Sequence, residues 1–162
     1  MEHQWIDEGL RQEADREQQA PLVIARQHHR ATVIRQRAPE LMFRLVSAIG
    51  AAVEEYKRKA SVGSGEIDFE PLPRGSFRVT KLTIPSVDLE CHPDYEGHVV
   101  YCNRAQTDSR ESGARELEFV LQIVADDLDT LTLCHENRSF TSVDEAAEFL
   151  LKPVLFPLAD QR

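Results

Sequence analysis

LTLCHENRSFTSVDEAAEFLLKPVL, residues 131–155, is the stretch whose reading decides the fold. Leu131 and Leu133 point one way on a strand, and Thr132 and Cys134 point the other. Glu136, Asn137 and Arg138 form a polar turn, with Asn137 the residue suited to a left-handed backbone. Ser142 stands at an N-cap position with Glu145 three residues on, the spacing of a capping box. Asp144 and Glu145 suit the positive end of a helix dipole. Val143, Ala146, Ala147, Leu150 and Leu151 make an apolar stripe at helical spacing. Pro153 disfavours helix at Lys152, so the helix should end there or restart with Pro153 in its first turn. A strand, a turn, a short strand and a helix with one apolar face therefore close the chain.

Working back, the period of two continues. Leu117, Phe119, Leu121 and Ile123 share one face of a strand over 116–124. A strand over 98–103 precedes it, separated by a polar loop over 103–115. Val87, Leu89 and Cys91 alternate with Asp88 and Glu90. Phe77 to Ile84 reads as a longer strand whose phase slips between Val79 and Leu82, which predicts a bulge or a twist. Ile67 to Glu70 is a short strand ended by Pro71 and Pro73. The sum is an antiparallel meander of five to six strands with one apolar face each.

The N-terminal third changes period. Ile24, Ala31, Ile34, Ala38, Leu41, Leu45, Ile49, Ala52 and Tyr56 form one helical stripe that runs through Pro39. Either one helix kinks there, or a second helix begins with Pro39 in its first turn. Residues 1–20 read as a weaker helix whose apolar positions are Trp5, Ile6, Leu10 and Ala14. The fold class is thus α+β: an N-terminal helical arm with a long amphipathic helix, the meander, and a C-terminal helix packing on the same sheet face. The organisation is an arm over 1–38 and a domain over 39–162. Within the domain fall a helix over 39–59, a Ser/Gly linker over 60–65, the sheet over 66–140 and the helix over 142–152.

The 162 residues carry a net charge of −9, which argues against a general binder of nucleic acid or anionic membrane. The charge is uneven: residues 60–162 hold nine basic and nineteen acidic side chains, residues 1–59 ten and nine. No signal peptide or membrane span is visible, and three cysteines lack framework spacing, so a cytoplasmic protein with reduced thiols is the expectation.

Chemistry is sparse. Cys91, Cys102, Cys134, His98 and His135 are the candidate metal ligands, but their spacing fits no finger or knuckle, and neighbours on a strand face opposite ways. Buried structural cysteines are the expectation, with no cofactor and no catalytic residue assigned. Asp126, Asp127 and Asp129 lack the spacing of a calcium loop and read as a solvated turn. Between Gln18 and Pro39 lie four arginines, two histidines and no acid. With the stripe beside them, Ile24, Arg26, Arg30, Ala31, Ile34, Arg35 and Arg37 are the candidate partner-binding residues. The expected function is a non-enzymatic interaction module that self-associates or docks on a protein through the arm. The alternative is a small enzyme or ligand binder with a pocket lined by Cys102, His98, His135 and Tyr101. A third reading is weak nucleic-acid binding through the arginine face of residues 26–37.

Overall fold

The computed structural model describes residues 3–60, 66–111 and 113–158. Most of the linker expected over 60–65 lies outside the described residues. Helix α1 spans Gln4–Lys59, strands β1–β7 follow at Ile67–Pro71, Phe77–Lys81, Ser86–Asp94, Val99–Thr107, Arg115–Ala125, Leu131–His135 and Arg138–Ser139, and helix α2 spans Val143–Leu155. The strands form one antiparallel sheet in the order β1-β2-β3-β4-β5-β6-β7. The fold is therefore the expected α+β arrangement, with seven strands where the alternation predicts five to six.

Three boundaries differ for local reasons. The bulge expected in a strand over 77–84 is not there. β2 ends at Lys81, and the phase slip at Leu82 marks the connection to β3. β4 continues to Thr107, through residues read as a polar loop. Gln106 and Arg104 pair with Arg115 and Leu117 of β5, and such ladder bonds do not require apolar side chains. In the turn before β7 the left-handed residue is Glu136, at φ 51°, rather than Asn137.

One sheet face carries Phe77, Val79, Val87, Leu89, Cys91, Val100, Leu121, Ile123 and Leu133, all buried. Both helices cover it, and α1 contributes Val33, Ile34, Ala38, Leu41, Met42, Leu45, Ile49 and Val53. Full burial of a side chain such as Leu45 or Ile49 contributes about 1.5–3 kcal/mol. That burial explains why α1 passes Pro39 unbroken. The proline leaves the Arg35 carbonyl without its helical donor. Buried Ala38, Leu41 and Met42 hold the backbone on the sheet on either side. Gly50 fits against the Phe69 ring, where an added Cβ would stand 3.0 Å from the ring edge.

α2 begins as the capping pattern predicts, with a variation. The Glu145 amide donates to Ser142 Oγ at 3.1 Å. The Glu145 carboxylate reaches one residue further back than the box requires, accepting from the Thr141 amide at 2.9 Å and from Arg138 at 2.9 Å. Hydrogen bonds from Thr141, then from Arg138, pull its pKa down to about 2. The helix does not stop or restart at Pro153 but runs to Leu155, because Val154 and Leu155 are buried beyond the proline. No helix among the described residues is long and apolar enough to cross a membrane.

Candidate functional site

α1 is 56 residues long, about 84 Å at 1.5 Å per residue. Its packing on the sheet begins at Arg30. From His3 to His29 every residue is exposed. The exposed apolar side chains fall into two groups: Trp5, Ile6 and Leu10 at the tip, and Leu22, Val23 and Ile24 nearer the body. Helix-forming Glu, Gln, Arg, Ala and Leu dominate the segment, so local propensity favours helix there.

The arm leaves the body at a charged clamp. Asp126 Oδ1 accepts from the Leu128 and Thr130 amides, each at 2.9 Å, which closes the β5–β6 turn. Asp129, at φ 58°, then meets α1. His29 Nε2 lies 3.0 Å from both Asp129 carboxylate oxygens, Arg30 donates to Asp127 at 2.5 Å, and Arg37 donates to the Asp129 carbonyl at 2.5 Å. A cavity of about 310 Å³ sits here, lined by Arg26, His29, Arg30 and the three aspartates. The turn read as solvated is thus one half of a contact, and the basic helix face is the other. Two separate signals announce it in sequence, an acid-free basic run and a base-free acidic turn. Nothing in the spacing links residues about 100 positions apart.

The candidate partner-binding residues divide accordingly. Ile34 is buried in the core and Ala31 is half-buried. Arg30 and Arg37 hold the β5–β6 turn, and Arg35 lies 3.9 Å from Glu96 in the β3–β4 turn. Ile24 and Arg26 stand exposed on the arm.

The cysteines and histidines do not gather. Cys91 and Cys102 are register partners on β3 and β4, both buried, with sulfurs 3.4 Å apart. The hydrogen bond to Cys102, then burial, pushes the Cys91 thiol well above its ordinary pKa. Cys134 lies 3.4 Å from Ser139 Oγ. His98 occupies the β3–β4 turn at φ 57°, and His135 packs against Phe149, ring centres 4.8 Å apart. Among the described residues no group of three His, Cys, Asp or Glu side chains could hold a metal ion.

The second sheet face, away from the helices, carries a groove of about 590 Å³. Glu90, His92, Tyr101, Asn103, Glu118 and Val120 are among its lining residues. His92 is held by Glu90 at 2.9 Å and by Ser76 Oγ at 3.1 Å. The Asn103 side-chain carbonyl oxygen is buried there with no hydrogen-bond partner among the described residues. Of the pocket expected from sequence, Tyr101 and Cys102 line this groove, while His98 and His135 lie elsewhere. Asn103 and Glu118 escape a sequence reading because polar residues on a strand signal only the uncovered face. Compared with known proteins, the chain matches no family model, no curated protein and no solved structure.

Proposed function

We propose that this chain is a non-enzymatic protein-interaction module that self-associates through its N-terminal arm. The observation that carries this reading is the length of α1 that packs on none of the described residues of its own chain, residues 4–25, with six large apolar side chains in water. A free helix of this size is marginal in water, because helices in proteins draw most of their stability from packing. An exposed amphipathic stretch gains that packing from a partner. The exposed ion pairs of Arg30 with Asp127 and His29 with Asp129 mark where the arm leaves the body. Three free thiols suit a reducing, cytoplasmic setting.

Light scattering on the full chain and on a chain lacking residues 1–25 tests this. That truncation spares Arg30 and the core residues from Val33 onward. The full chain is expected to be oligomeric and the truncated chain monomeric and folded. A monomeric full chain sinks the proposal.

A second reading, ligand binding in the open-face groove, rests on the Asn103 carbonyl. A buried acceptor without a donor costs about 1–3 kcal/mol, which a donor-bearing ligand would recover. A fragment screen followed by nuclear magnetic resonance, in which no compound moves the Asn103 or Tyr101 signals, removes it.

A further inference from the structure

We infer that two copies pair through their arms in an antiparallel sense, with Trp5 and Ile6 of one copy level with Ile24 and Val23 of the other. This rests on the self-association reading above. Residues 27, 24, 20, 16, 13, 9 and 6 continue the line of Ala31 down the arm in steps of three and four. The line carries Ile24 and Ile6 toward its two ends and Arg16 and Glu13 in the middle. Ile6 and Ile24 stand 18 residues apart, about 27 Å along the helix. Two arms of this pattern match in either direction if only apolar groups are considered.

Charge selects the direction. Residues 4–19 hold five acids and two arginines, whereas the next acid-free stretch begins Arg26, Arg30. A parallel pair sets each acidic half against its copy, with Glu13 on Glu13 and Arg16 on Arg16. An antiparallel pair with Ile6 level with Val23 sets Glu13 on Arg16 twice and Gly9 on Ala20, small residues that let the helices approach. Asp7 then lies about one turn from Arg26 of the second copy. Like charges in register are destabilising and opposite charges favourable, and such pairs set helix orientation.

Length agrees with charge. In this register Gln4 falls level with Ala25 of the second copy. That is four residues short of His29, where α1 first bonds the body through Asp129. The register uses the free arm from Gln4 to Ala25.

Cross-linking decides the orientation. With Cys134 replaced by Ser, one preparation carries Ile6→Cys and another Ile24→Cys, the two isoleucines on the line. Native Cys91 and Cys102 are buried. Under copper–phenanthroline oxidation, covalent dimer is expected from the equimolar mixture and from neither variant alone. In the antiparallel pair identical positions lie roughly 25 Å apart, beyond the reach of a disulfide. Dimer from Ile6→Cys alone shows parallel arms and overturns the inference while leaving self-association standing. A chain that scatters as a dimer but cross-links in none of the three samples also overturns it. A chain that scatters as a monomer overturns both.

Discussion

Replacing Pro39 with Ala is expected to stabilise the folded chain by about 2–3 kcal/mol. Pro39 lies inside α1, between buried Ala38 and Leu41, and its own ring is exposed. The substitution therefore empties no cavity. It restores a backbone donor to the Arg35 carbonyl and removes the clash between the ring and that carbonyl. The helix-interior difference between Pro and Ala is about 3 kcal/mol, and any bend the core has already adopted lowers the gain. For a chain of this size the gain corresponds to a rise in melting temperature of roughly 4–12 °C. Urea titration gives the free energy from the midpoint at constant slope. Pro21→Ala is the internal control. Pro21 lies in the arm, where nothing packs, so its replacement should deepen the far-ultraviolet helical signal. The global midpoint should stay within about 0.5 kcal/mol. If Pro39→Ala leaves the midpoint unchanged or lowers it, Pro39 opens a separate helix and the continuous α1 is wrong.

Ser142→Ala should cost about 1 kcal/mol of stability by chemical denaturation, since its hydroxyl caps the Glu145 amide, and a cost near zero would show that the cap is idle. Glu145 has a folded pKa near 2 against an ordinary 4.5, so its carboxylate stabilises the fold fully above about pH 4.5, and that contribution is lost as pH falls through about 2. Glu145→Gln should accordingly flatten the acid limb of the stability profile across that window, and a carbon-13 titration of Glu145 with a midpoint near 4.5 would contradict the bonds drawn to it. Cys134 should react with a disulfide reagent well before Cys91 and Cys102, which are buried, and equal rates for all three thiols would mean the β3–β4 core opens readily.

Sequence alone determines the local units of this protein. The alternation through Leu117, Phe119, Leu121 and Ile123, the spacing from Ile34 to Tyr56, and Ser142 with Glu145 each report on neighbours within a turn or a strand. Their physical cause acts over those distances. They are enough for the α+β class and for the face each element buries. Tertiary structure decides what depends on groups remote in the chain. At Pro39 the sequence leaves one helix or two open, and at Pro153 it reads a stop or a restart; buried residues on either side of each proline decide both for a continuous helix. The basic run of α1 reads as a partner-binding face and the aspartates of the β5–β6 turn as a solvated turn, yet the two meet as Arg30 on Asp127 and His29 on Asp129. That contact also divides α1 into a packed part and a free one. The stripe from Ile24 to Tyr56 is continuous in sequence, and only the width of the sheet beneath it sets where cover ends. Ile34 is thereby spent on the core, and Ile24 is left in water beside the rest of the arm.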